Sequence, residues 1–82
     1  MIKVVFFAKL KERLGTQGIE LDPMGIATVA DVLDALYQHY PEWQTELQSG
    51  QLLVAINHEM AKLTSEVKSG DELALFPPVT GG

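Results

Sequence analysis

Apolar positions alternate from the first residues of the chain. Ile2-Lys3-Val4-Val5-Phe6-Phe7 is β-branched and aromatic and predicts a strand. A period of two puts Ile2, Val4 and Phe6 on one face and Lys3, Val5 and Phe7 on the other. Lys3 prefers water, so its face is the outer one and Phe7 lies outside. Residues 8–14 favour a short helix, stopped by Gly15, which tolerates positive φ. Residues 17–21 predict a second strand antiparallel to the first, and Asp22-Pro23-Met24-Gly25 a turn.

At Thr28 the period changes. Val29, Val32, Leu33, Leu36, Tyr37 and Tyr40 form one stripe at helical spacing. Thr28 and Asp31 make an approximate capping box, with Asp where Glu or Gln is preferred. Pro41 closes the helix, because the residue before a proline avoids α geometry. Residues 41–50 read as a polar loop with a helical turn around Trp43 to Leu47. Leu52–Ile56 is a third strand, Asn57-His58 a tight turn, and Glu59–Leu63 a short fourth strand. Val67 is placed to plug the core from a loop. Glu72–Phe76 is the last strand; Glu72 should be wet, so Ala74 and Phe76 share its outward face. One long amphipathic helix therefore covers one face of a mixed sheet, an α+β arrangement. Residues 1–76 form the domain and residues 77–82 an extended tail outside it.

Composition narrows the function classes. The chain has 82 residues, which suffices for one domain, and an apolar content of 46% argues against disorder. Six basic residues stand against eleven acidic ones, a net charge of −5. Such a chain would repel a phosphate backbone, so nucleic acid is not an expected partner, while a basic cleft on a protein would attract it. Without cysteine there is neither a disulfide nor a thiolate-held metal. The apolar run Val4–Ala8 is too short for a signal-peptide core, and no stretch approaches a membrane span. The expectation is a cytoplasmic domain with no membrane contact.

The candidate chemistry lies in the tail. Pro77 and Pro78 lack backbone donors, end the sheet and stiffen the exit. Residues 77–82, at roughly 3.3–3.6 Å each, reach about 20 Å from the domain. Gly81 and Gly82 carry no β-carbons, so this segment can thread a narrow channel and let an enzyme approach the Gly82 carboxylate closely. A carboxylate is a poor acyl electrophile; joined to AMP it becomes a mixed anhydride with a good leaving group. A sulfur donor could then displace AMP and leave a nucleophilic thiocarboxylate.

Met1–Ala8, Gly15, the Thr28-led helix, Leu53-Val54-Ala55-Ile56-Asn57 and above all Phe76-Pro77-Pro78-Val79-Thr80-Gly81-Gly82 resemble the small subunits of molybdopterin synthase, ubiquitin-like sulfur carriers. The resemblance covers the whole chain. It implies a β-grasp fold, and it implies that Gly82 is adenylated by an ATP-dependent activating enzyme and converted to a thiocarboxylate by a sulfur donor. The chain itself would bind no cofactor. The loaded tail (Pro77, Pro78, Val79, Thr80, Gly81 and Gly82) would enter the large synthase subunit and give its sulfur to cyclic pyranopterin monophosphate. The implied assembly is a heterotetramer. The implied apolar docking surface maps onto Phe7, Met60 and Phe76.

Two other functions share much of this pattern. A carrier serving thiamine thiazole synthesis or tRNA thiolation would use the same fold and tail; the Phe76–Thr80 context and the length favour the molybdopterin reading. A ubiquitin-like binding module or lysine modifier belongs to another class. The remaining polar residues suggest no site. His39 and His58 lack metal-ligand spacing, Glu42 and Glu46 read as a solvated face, and Tyr37, Tyr40 and Trp43 read as packing.

Overall fold

A computed structural model describes residues 1–48 and 52–77 of the chain. The elements are β1 (Ile2–Phe6), α1 (Lys9–Leu14), β2 (Gly18–Leu21), α2 (Val29–His39), α3 (Trp43–Gln48), β3 (Leu53–Ile56), β4 (Glu59–Ala61) and β5 (Glu72–Phe76). The strands form a single sheet in the order β2-β1-β5-β3-β4. β1 and β5 pair in parallel, and the other neighbours are antiparallel. A mixed sheet holding one main helix is the β-grasp architecture.

The inner face follows the alternation. Ile2, Val4 and Phe6 of β1 and Leu73 and Leu75 of β5 are almost wholly buried against Val29, Val32, Leu33 and Leu36 of α2. Each such side chain contributes about 1.5–3 kcal/mol by leaving water. Val67 joins this core from its loop, 3% exposed.

The start of α2 shows how its orphan donors are satisfied. Thr28 and Asp31 complete the capping box: the Asp31 amide donates to Thr28 Oγ1 and the Thr28 amide to Asp31 Oδ2. Val29 and Ala30 amides donate to the carbonyls of Ser65 and Leu63, and Val32 to that of Thr28. A helix otherwise leaves its first four amides without partners, so the 63–65 loop is stitched to α2 by that demand.

Two elements differ from the sequence expectation. Trp43–Gln48 forms a complete short helix rather than a turn in a loop. Trp43 is its anchor, edge-on to Phe6 at 5.3 Å and stacked on Tyr40 at 4.0 Å. Arg13 Nη1 reaches Glu46 Oε2 at 3.2 Å and links α1 to α3. β4 stops at Ala61 instead of Leu63, because Lys62 donates to Ser65 Oγ and accepts from the Ser65 amide, which closes a turn.

Three non-glycine residues among those described have positive φ. Asn57 (50°) and His58 (72°) occupy the two central positions of the β3–β4 hairpin, where such a turn requires them. Asn57 is also fixed by its side chain, which donates to Asp71 Oδ1 and accepts from the Glu72 amide. Ala8 is different. At φ 55° and ψ −132° it sits where glycine alone is at ease, in the first central position of the turn closed by the Leu10 amide on the Phe7 carbonyl. Such strain costs on the order of 1–3 kcal/mol.

The cap makes stability pH-dependent. Hydrogen bonds from the Ala27 and Thr28 amides hold the Asp31 carboxyl below its ordinary 3.8. The Lys68 amide, with help from Asn57, does the same for Asp71. A carboxyl lowered by folding stabilises the fold above its unfolded value, and the gain disappears as pH falls through the folded one. Urea midpoints should therefore fall between neutral pH and conditions more acidic than 3.8, less steeply in Asp31→Asn. At neutral pH, Thr28→Ala should lose about 1 kcal/mol.

Candidate functional site

The register of the sheet assembles the outer face in rows. Pairing of Lys3 with Glu20 and with Glu72 makes a charged row. Lys3 Nζ lies 3.9 Å from Glu72 Oε1, and His58 Nε2 lies 3.9 Å from Glu72 Oε2. These exposed pairs set the polarity of the row and add little stability.

The next row runs Gly18, Val5, Ala74, Ala55, Met60, as the paired positions of five strands. Gly18 is required there, because a β-carbon would collide with the carbonyl oxygen of Val4. Ala74 and Ala55 are small and buried, and form a low floor. Met60 stands at the far side, 68% exposed.

The last row is aromatic. Phe6 pairs with Leu75, so Phe7 and Phe76 come side by side one residue further on, with Leu53 across from Phe76. Their rings stack at 4.9 Å between centroids and 11° between planes. The Phe7 amide donates to the Leu75 carbonyl and fixes the end of the pairing. Phe7 is 41% exposed, while Phe76 is half-buried because Phe7 covers one of its faces. The outer face thus grades from charged to apolar, and the apolar end is where the chain leaves β5 through Pro77.

The alternation puts Phe7 and Phe76 outside, and the structure places them so and brings them together. Met60 shares their face, one row away. Pro77 follows β5, whereas Pro78, Val79, Thr80, Gly81 and Gly82 lie outside the described residues. Val5, Leu53, Ala55 and Ala74 were not singled out from sequence. For Val5 and Ala74 the signal was present, since they share a parity with Phe7 and Phe76. For Leu53 and Ala55 it was weak, because Leu52–Ile56 is uniformly apolar.

Other groups stay apart from this face. Among the described residues no three His, Cys, Asp or Glu side chains gather as a metal would need, and no helix is long and apolar enough to cross a membrane. Trp43 is buried, and Tyr37 and Tyr40 pack against the core. Partial burial raises the Tyr37 hydroxyl pKa, partly opposed by its hydrogen bond with Gln48.

Comparison with known proteins fits this architecture. Residues 4–82 match the model of the ThiS family. The molybdopterin synthase sulfur carrier subunit of Haemophilus influenzae is 46% identical over 82 residues, covering all of both chains. Small archaeal modifier protein 1 of Haloferax volcanii is 43% identical, with 93% of this chain and 94% of that one covered. The crystal structure of the latter protein, SAMP1, superposes with a TM-score of 0.81 at 39% identity, over 99% of this chain and 98% of the other. A family match that spans residues 4–82, nearly the whole length, leads to one assignment: the chain belongs to the ThiS family.

Proposed function

We propose that this chain is the sulfur carrier subunit of a molybdopterin synthase. The observation that carries the reading is its 46% identity, from end to end, with a relative of that name. The outer face supports it, because an apolar aromatic end next to the exit of β5 is what docking a tail into a partner demands.

In this reading the chemistry occurs at Gly82. A carboxylate oxygen attacks the α-phosphorus of ATP on the activating enzyme; the bond to the β-phosphate breaks and pyrophosphate leaves. Hydrosulfide-level sulfur from a donor then attacks the acyl carbon, and AMP departs with the electron pair of the acyl–oxygen bond. The thiocarboxylate sulfur attacks an oxygen-bearing carbon of cyclic pyranopterin monophosphate held by the large subunit, and the oxygen substituent leaves with the electron pair of the broken carbon–oxygen bond. Water cleaves the resulting acyl–sulfur bond, which leaves sulfur on the substrate and regenerates the Gly82 carboxylate. Gly81 contributes by lacking a side chain that would obstruct the channel. Phe7, Phe76 and Met60 form the docking surface, with Pro77, Pro78, Val79 and Thr80 spanning from it to the reacting end. Neither ATP nor a metal binds the carrier itself; two carriers serve a large-subunit dimer in the cytoplasm.

A second reading rests on the 43% identity with small archaeal modifier protein 1. A modifier would use the same activated Gly82, but a lysine amine would displace AMP and form an isopeptide.

Removing Gly81 and Gly82 should abolish sulfur transfer in a reconstituted synthase and leave the melting temperature unchanged. Product formed by the truncated chain would contradict the mechanism, and product formed only with a thiazole synthase would reassign the acceptor. Phe76→Ala should weaken affinity for the large subunit by on the order of 2 kcal/mol, as for an aromatic anchor, and lower stability by less. A large fall in melting temperature with intact affinity would instead make Phe76 a core residue.

A further inference from the structure

Among the described residues, nothing that Ala8 contacts balances its strain. Its φ of 55° and ψ of −132° suit glycine, because the β-carbon of an L-residue crowds the adjacent backbone there. The other two positive-φ residues are accounted for by their hairpin and, for Asn57, by side-chain hydrogen bonds. The conformation of Ala8 lies outside the left-handed region that Asn and His tolerate. Its methyl group is exposed and belongs neither to the core nor to the apolar residues packed on it. The turn needs only the backbone of this residue: the Leu10 amide closes on the Phe7 carbonyl and the Lys11 amide on the Ala8 carbonyl. Glycine would make both bonds without the strain. The fold therefore carries a cost for a methyl group that none of the described residues uses, directly after Phe7 at the aromatic end of the outer face.

We infer that the Ala8 methyl is a contact of the docking surface, received by the large synthase subunit beside Phe7. The inference rests on the docking reading of that face. Residues that break a local rule without internal compensation are expected at functional sites. Here the compensation is an apolar contact made only in the complex, continuous with the Phe7–Phe76 stack. The backbone strain is common to the free and the docked chain, so it cancels from the affinity. Affinity then reads the methyl group alone, and the stability of the free chain reads the strain.

Three variants of the full chain separate these contributions. Each is melted alone and titrated calorimetrically into the cognate large subunit. Ala8→Gly should raise the melting temperature of the free chain by roughly 4–8 °C and weaken affinity about fourfold, the factor for one buried methyl group. Ala8→Ser keeps the β-carbon and should melt with the wild type, while its hydroxyl, carried into an apolar contact, should weaken affinity; an unchanged affinity would refute the contact. Phe7→Ala should weaken affinity more than either. If Phe7→Ala binds normally, the docking reading itself fails. If Phe7→Ala binds weakly but Ala8→Gly binds like the wild type, the methyl contact alone is refuted. An Ala8→Gly chain no more stable than the wild type removes the strain on which the inference stands.

Discussion

The parallel pairing of β1 with β5 is the constraint on which the candidate site depends. It aligns two strands, remote in sequence, so that both end at the same side of the sheet. The first residue past β1 then stacks on the last residue of β5, and the chain departs beside that stack. An antiparallel pair would have put Phe7 and the tail at opposite ends. Parallel neighbours need a long crossover, and the α1–β4 segment supplies it. α2 and its stitched 63–65 loop fill the inner face and keep the two strands together. The core thus serves the site by fixing one register.

This arrangement suits a body that docks against a partner. The body offers a graded surface, charged at one end and aromatic at the other, with a floor of small residues between. Such a surface can set the orientation of a partner, since the charged row discourages docking in the reverse sense. In the proposed function the reactive atom lies beyond this surface, and activation and acceptance are tasks of other proteins. The likeness to both a synthase subunit and a protein modifier fits that division. One body with one activated end can serve either outcome, and the partner decides which nucleophile arrives.

Much of this was legible in the sequence, for physical reasons. Lys3 and Glu72 are single polar residues in apolar strands, so each fixes the parity of its strand and sends Phe7 and Phe76 outward. The stripe from Val29 to Tyr40 and the Thr28–Asp31 box gave α2 its face and its start. Less was legible where the local signal was uniform or absent. Leu52–Ile56 contains no polar residue to set its parity, so the places of Leu53 and Ala55 came only with the β5 register. The six residues of α3 are held by Trp43 against Phe6 and Tyr40, a tertiary cause that local propensity does not reveal. The strain at Ala8 is likewise invisible, since alanine reads as a plain helix former.

The proposed function requires that the end of this chain be loaded with sulfur. Intact-protein mass spectrometry, after co-expression with the cognate activating enzyme and its sulfur donor, measures this directly. A mass increase of one oxygen-to-sulfur exchange, localised by fragmentation to Gly82, is the predicted result. A chain that folds and meets its activating enzyme yet keeps its unmodified mass would contradict the proposed chemistry.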